Sequence, residues 1–289
     1  MTLVGVGLLG GSLGLALKKR KLAREVNGFV RRAFSVIECK QAGAVDLATR
    51  DLSLAVSGAD LIVLCTPLAQ MRSLVKQMLP SLKRGAIVTD VGSVKGSVVR
   101  ELEGIVARAG GHFVGSHPMA GAEKTGVAAA REDLFEHAVC VVTPTRRSNK
   151  AAVRKVEQLW KLLGARVLRL SPETHDDLVS RSSHLPHLIA ATLANSVLDP
   201  AHPPQQKALC ANGFRDTTRI ASGSPEMWRD IVVANRRNLS DALGSLVKEL
   251  QKLQGVIRRG DEVAISDFLS QAKARRDRWV AENGSASPE

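Results

Sequence analysis

The chain has no tyrosine, and only six Phe and three Trp among its 289 residues. A core built from this sequence must be aliphatic, and few rings are left to stack on nucleic-acid bases. Cysteine is nearly as scarce. Cys39, Cys65, Cys140 and Cys210 stand far apart, with no C-x-x-C and no His at ligand spacing. That pattern excludes a disulfide-stapled scaffold, offers no metal site, and predicts buried free thiols in a reducing cytoplasm. No apolar run approaches the roughly twenty residues of a membrane span, and no secretory leader opens the sequence.

Negative charge is also short, with 28 acidic against 41 basic side chains and a formal net charge of +13. Counterion release would reward such a balance in a nucleic-acid binder. The Lys and Arg residues are spread over many segments, however, and no nucleic-acid motif accompanies them. A surface that attracts small anionic substrates fits the charge better, so neither a nucleic-acid nor a membrane partner is expected.

What is present is an ordinary globular composition, 44% hydrophobic, and enough length for two modest cores. Thr2-Leu-Val4 reads as a strand, and Gly5-Val-Gly7-Leu-Leu-Gly10 follows at once, ahead of an apolar helix predicted over Leu13–Leu22. This is G-x-G-x-x-G in the context that gives it meaning. The first glycine permits a tight turn, the second lets backbone approach a pyrophosphate, and the third allows close packing. Gly5, Gly7, Leu8, Leu9 and Gly10 are thus candidate cofactor-binding positions. A native amino terminus a few residues longer is expected, because the first strand begins at Thr2.

The second strand is predicted over Val26–Val30. NAD sites carry Asp or Glu at this strand end to bind the ribose hydroxyls. Here Val30 is followed by Arg31 and Arg32, which suit a 2′-phosphate. NADP is therefore the predicted cofactor, with NAD the alternative if the two Arg form only an exposed basic turn. Ala59–Pro67 is a buried strand ending in Thr66-Pro67, which turns the chain over the cofactor. Strands at Gly85–Asp90, Phe113–Gly115, Ala138–Thr143 and Arg166–Leu170 alternate with helices at Ser97–Ala109 and Lys150–Leu163. The fold class expected is α/β, a Rossmann-type doubly wound sheet over 1–170 followed by an all-α domain over 171–289. Ligands then sit outside the strands' carboxyl ends, which puts Thr66, Ser93 and His117 at one edge.

His117 lies in Gly115-Ser-His-Pro-Met-Ala-Gly-Ala-Glu-Lys-Thr-Gly126, where small residues let a second molecule approach an imidazole able to act as general acid or base. In the helical part, Ser171-Pro-Glu173 and Ser224-Pro-Glu226 each have a capping hydroxyl, a Pro at the first helical position and an acid near the dipole's positive end. Pro186 is expected to kink the first of these helices, with His184 and His187 sharing a face there. They are either satisfied polar residues or ligand contacts. Arg215 or Arg219 in Asn212–Ile220 is a candidate carboxylate clamp, unless it only pairs with Asp216. The second helix carries Leu239, Leu243, Leu246, Leu250, Leu253 and Ile257 as a heptad seam, either internal or between subunits. Glu282–Glu289 reads as a frayed tail.

Taken in order, G-V-G-L-L-G-G-S-L-G, L-C-T-P-L, T-D-V-G-S-V-K, S-H-P-M-A-G-A-E-K-T-G, S-H-L-P-H and G-F-R-D-T-T-R-I-A span essentially the whole chain. Together they resemble the prephenate/arogenate dehydrogenase family of tyrosine biosynthesis. The resemblance implies a Rossmann domain followed by a helical domain that dimerises, with the active site between them. It implies that His117 is the catalytic His and that Ser93 is its partner near the nicotinamide. It also places His184, His187 and Arg219 around the substrate and Glu123 at the pocket entrance. His187 favours prephenate over arogenate, since some arogenate-specific relatives lack a second His after S-H-L-P. Neither a chorismate mutase nor an ACT domain is evident in the chain. Two other readings are a β-hydroxyacid dehydrogenase, which would be expected to show a Lys in a small-residue motif of the helical part, and a non-catalytic NADP-sensing or nucleic-acid-binding protein.

Overall fold

In the computed structural model, residues 1–121 and 124–283 are described; Glu123 and the tail beyond Asn283 lie outside them. The chain runs β1 (Thr2–Val4), α1 (Leu8–Lys19), β2 (Asn27–Phe29), α2 (Ala33–Gln41), β3 (Leu47–Thr49), α3 (Leu52–Val56), β4 (Leu61–Leu64), α4 (Leu68–Met78), β5 (Ile87–Asp90), α5 (Gly96–Arg108), β6 (His112–Pro118), β7 (Val139–Thr143), α6 (Lys150–Leu162) and β8 (Arg166–Arg169). These strands form one eight-stranded sheet in the order β3-β2-β1-β4-β5-β6-β7-β8. All neighbours are parallel except β6 and β7, which pair antiparallel. The order reverses beside β1, the switch point at which such sheets open a crevice for a ligand.

Alternate strand residues face opposite sides, and each side has its own aliphatic core. Leu3, Val63, Ile87 and Val114 pack with α1 and α6, around Leu13, Leu17, Val156 and Trp160. Val4, Ile62, Leu64, Val88 and Phe113 pack with α3, α4 and α5, around Met71, Met78, Leu102 and Val106. Helix α1 starts at Leu8 rather than Leu13, so Gly10 and Gly11 are helical. Packing overrides propensity there: a Cβ on Gly10 would lie 2.0 Å from the Gly5 carbonyl oxygen. Gly5 itself has φ +98°, which favours glycine.

After β8 the described chain is helical: α7 (Pro172–Val179), α8 (Leu185–Val197), α9 (Pro204–Ala208), α10 (Asn212–Thr218), α11 (Pro225–Ala234), α12 (Arg236–Arg259) and α13 (Glu262–Asn283). Ser171 Oγ caps α7 through Thr174 N at 3.1 Å, and Ser224 Oγ caps α11 through Met227 N at 3.4 Å. Around Pro186 the chain makes a π-helical turn over Ser180–His184, with Leu185 N donating to Ser180 O. This wider turn lies between α7 and α8 and precedes the proline, where a kink was expected. The single helix expected from Ser224 through the heptad seam is broken at Asn235, whose φ of −110° and ψ of 24° end α11.

By packing, residues up to Asn235 form one compact unit and those from Arg236 another. In the second unit, α12 ends in a Schellman motif. Gly260 has φ +63°, Gly260 N donates to Ile257 O and Asp261 N to Val256 O. Asp261 then caps α13 through Ala264 N at 3.0 Å. Along α12, Leu243, Leu250 and Ile257 are 38%, 52% and 58% exposed. Among the described residues, no helix is long and apolar enough to cross a membrane.

Candidate active site

Six of the eight strands, β1 to β6, end at one edge of the sheet, and the candidate residues cluster along it. The turn after β1 carries Gly5 and Gly7, Thr66 follows β4, Ser93 follows β5, and His117 sits in the last stretch of β6. The three glycines of the fingerprint have different reasons to be glycine. Gly5 and Gly10 are required by close backbone contact, whereas a Cβ on Gly7 would meet nothing within 4 Å. That open space lies at the start of α1, where Gly7 is the cap, no side chain caps the helix and no acidic residue occupies the first turn. The N–H groups of Leu8, Leu9 and Gly10 belong to the helix's unsatisfied first turn. Thr66 Oγ1 is buried without a hydrogen bond next to this turn, and its methyl lies 2.8 Å from where a Gly5 Cβ would stand. An orphaned hydroxyl beside a bare helix start is a good fit to a dinucleotide's phosphates. Pro67, exposed, caps α4.

At the end of β2, Val30 packs into the core, while Arg31 and Arg32 are exposed at the following turn. Arg50, just beyond β3, donates from Nε to the Arg31 carbonyl at 3.3 Å. Three guanidinium-bearing residues therefore meet at this corner.

The end of β6 is held by a buried polar network. Lys95 Nζ pairs with the Asp90 carboxylate and donates to Ser116 O at 2.8 Å. The Asp90 carboxylate also accepts from Ser116 N and Gly92 N, and Trp160 Nε1 donates to Ser116 Oγ at 3.1 Å. These contacts fix the backbone on which His117 is mounted. Its ring is buried, and Nδ1 lies 2.8 Å from His175 Nε2. His175 Nδ1 in turn lies 2.8 Å from Asp176 Oδ1, and the Asp176 carboxylate accepts Lys95 N at 2.7 Å and Gly96 N at 2.8 Å. Asp176 thereby caps the start of α5. Burial, reinforced by His175, Lys95 and His184, pushes the His117 pKa well below that of an ordinary imidazole.

A second cluster adjoins the first. His184 Nδ1 lies 3.2 Å from Asn235 Nδ2, which also donates to Asp176 O at 2.8 Å. The Ser93 main chain comes close to the His184 ring, yet no hydrogen bond of good geometry reaches Nε2. His187 stacks on Trp228 with ring centroids 3.5 Å apart, and His184 meets the same indole edge-on. Burial lowers His184 to about 4 and lowers His187 as well, so the two rings are neutral contacts and not cations for a carboxylate. Arg219 begins the short turn Arg219–Ser222, which packs against α8, and its side chain is exposed.

His117, His184 and His187 are thus brought into one network, with Ser93 beside it. The partner on His117 Nδ1 is His175, a residue not singled out in the sequence, and Asp176, Asn235, Lys95 and Trp228 were likewise not anticipated. Glu123 lies outside the described residues.

Comparison with known proteins places the chain in a family. Residues 13–169 match the family model "Prephenate dehydrogenase, nucleotide-binding domain", and residues 171–271 match "Prephenate dehydrogenase, dimerization domain". The chain belongs to the prephenate dehydrogenase family. It is 35% identical to prephenate dehydrogenase of Bacillus subtilis over 95% of this chain and 74% of that one. It is 32% identical to cyclohexadienyl dehydrogenase of Zymomonas mobilis over 95% and 94%. The crystal structure of Aquifex aeolicus prephenate dehydrogenase with hydroxyphenyl propionate and NAD+ superposes with a TM-score of 0.90 at 32% identity, covering 96% of each chain. Membership makes the chain an oxidoreductase of tyrosine biosynthesis with a nucleotide-binding domain.

Proposed function

We propose that this enzyme oxidatively decarboxylates prephenate, with NADP as hydride acceptor, as a homodimer in the cytoplasm. The carrying observation is His117, a neutral buried imidazole mounted at the same sheet edge as the bare α1 start. Bound there, the nicotinamide supplies the acceptor for the hydride of the ring carbinol carbon. His117 takes the hydroxyl proton as general base. The bond to the ring carboxylate breaks, carbon dioxide leaves, and its electron pair completes the aromatic ring. The proton then returns from His117 to the phenolic oxygen, so the residue is restored. Gly5, Gly7, Leu8, Leu9, Gly10, Thr66, Pro67 and Ser93 are assigned to the cofactor, and Ser93 also to His117 as its partner near the nicotinamide. His184, His187, Arg219 and Glu123 are assigned to the substrate, with Arg219 as the cation for its side-chain carboxylate. Residues 1–170 are the dinucleotide-binding domain and 171–289 the substrate-binding and dimerising one.

NADP is favoured by Arg31, Arg32 and Arg50 at the corner where a 2′-phosphate would lie, with no carboxylate at Val30 to repel it. The test is a four-way assay of prephenate and arogenate against NADP+ and NAD+. Prephenate with NADP+ should give the highest kcat/KM, and Arg31→Ala with Arg32→Ala should cut NADP+ turnover about tenfold while sparing NAD+. A wild-type enzyme that prefers NAD+ makes the Arg cluster mere surface charge, and one that prefers arogenate reverses the substrate assignment.

A further inference from the structure

The proposed chemistry needs an imidazole nitrogen without a proton facing the substrate, and the structure contains a device that decides which nitrogen is bare. Both oxygens of the Asp176 carboxylate already accept main-chain N–H groups, from Lys95 and from Gly96. Oxygens used in this way act as acceptors, so His175 Nδ1, 2.8 Å from Oδ1, must be the donor. A neutral His175 is then bare at Nε2. That atom can only accept, so the facing His117 Nδ1 carries the proton, and neutral His117 is bare at Nε2.

A second arm starts from the same residue. The main-chain carbonyl of Asp176 can only accept, which fixes the Asn235 amide with Nδ2 toward it at 2.8 Å. The other hydrogen on Nδ2 points to His184 Nδ1 at 3.2 Å, so Nδ1 accepts. Neutral His184 therefore carries its proton on Nε2. That nitrogen is buried and makes no hydrogen bond of good geometry, with the Ser93 main chain its near neighbour, so a ligand oxygen would complete it.

We infer that Asp176 sets two imidazoles in opposite senses, holding His117 as a proton acceptor through His175 and His184 as a hydrogen-bond donor through Asn235. His175 and Asn235 are positioning residues. The inference rests on the proposed function for its catalytic meaning, since a bare Nε2 on His117 is what a general base requires. It commits the ligand of His184 to an oxygen that accepts, a carboxylate, carbonyl or hydroxyl lone pair.

The proton positions are read directly by nitrogen NMR of the full chain labelled in histidine, near neutral pH and without substrate. The wild type should show His117 protonated at Nδ1 only and His184 protonated at Nε2 only. In His175→Gln, the side-chain oxygen can accept the same proton, so His117 should keep its pattern and kcat should stay within about tenfold. In His175→Leu the pattern should be lost and kcat should fall a hundredfold or more with KM little changed. If His175→Leu does not fold, the wild type and His175→Gln decide the matter. A wild-type His117 protonated at Nε2, the same tautomer on both rings, or a Gln variant with Nε2 of His117 protonated overturns the inference. Correct tautomers in a protein that oxidises neither prephenate nor arogenate would instead overturn the functional reading and leave this one standing.

Discussion

Removing the imidazole of His117 while keeping its size separates chemistry from binding. His117→Asn should lower kcat by roughly 10²–10⁴ with KM nearly unchanged, because a base acts only as the proton moves. Unchanged kcat in the folded variant would take the base elsewhere. His184 gives a prediction about stability. It titrates at 6.5 in an unfolded chain and at about 4 in the folded one. Between those values the unfolded state binds the proton and the folded state does not. Stability is therefore complete above pH 6.5 and declines as pH drops toward 4, by about 3 kcal/mol at most for this residue. His117 and His187, lowered in the same direction, add to the decline. Urea midpoints from pH 7 to 4 should fall less steeply in His184→Gln than in the wild type; equal slopes would remove His184 from the account. Both residues could be singled out from sequence, His117 by its setting of Pro and small residues and His184 by the following Pro186. His175 and Asp176 could not. Adjacent helix residues do not normally face each other, and Ser171-Pro-Glu-Thr-His-Asp reads simply as a capped first turn.

The start of α1 separates two reasons for a glycine. Gly10→Ala would put a Cβ 2.0 Å from a main-chain oxygen, so the variant should be destabilised and lose the cofactor together. Gly7→Ala faces open space in the protein, so its thermal midpoint should change little while its cofactor Kd rises at least tenfold. Equal cofactor affinity in Gly7→Ala would show that the open space is not where the pyrophosphate lies. Titration calorimetry and thermal melts read the two effects separately. Most long elements around this turn were visible as apolar runs. The stretch from Ala33 to Val56 was not, because β3 has three residues, α3 has five, and α2 buries only Cys39 fully. Such short pieces carry too few periods of any pattern, and tertiary packing decides them. The break at Asn235 was hidden for a different reason: the residue leaves the helix to bond Asp176 and His184, which lie more than fifty positions away.

On the scale of the molecule, the heptad seam of α12 is an apolar row with three members largely uncovered in the single chain. A second copy of the chain is the occupant that the dimerisation-domain match suggests. Leu250→Glu should then give folded monomers in sedimentation, since the charge is solvated in one chain and buried between two. A variant that remains dimeric would move the interface off this row. The two-part plan of a doubly wound sheet followed by helices could be read from the alternation of strands and the later loss of any strand pattern. The place where the chain divides by packing could not be read, because Asn235 is tied to α7 by side-chain bonds that leave no local trace.

Asp176 belongs to the helical segment yet closes the start of α5 in the sheet domain, accepting both Lys95 N and Gly96 N. The two segments of this chain are consequently not interchangeable parts. A hybrid gene that spliced residues 1–170 of this chain onto the helices of a distant homologue would fold its Rossmann half with two backbone donors and one histidine waiting for partners. Only a donor gene with the matching His-Asp pair one turn into its first helix would restore them, so exchange by recombination at residue 170 is restricted to relatives that carry both.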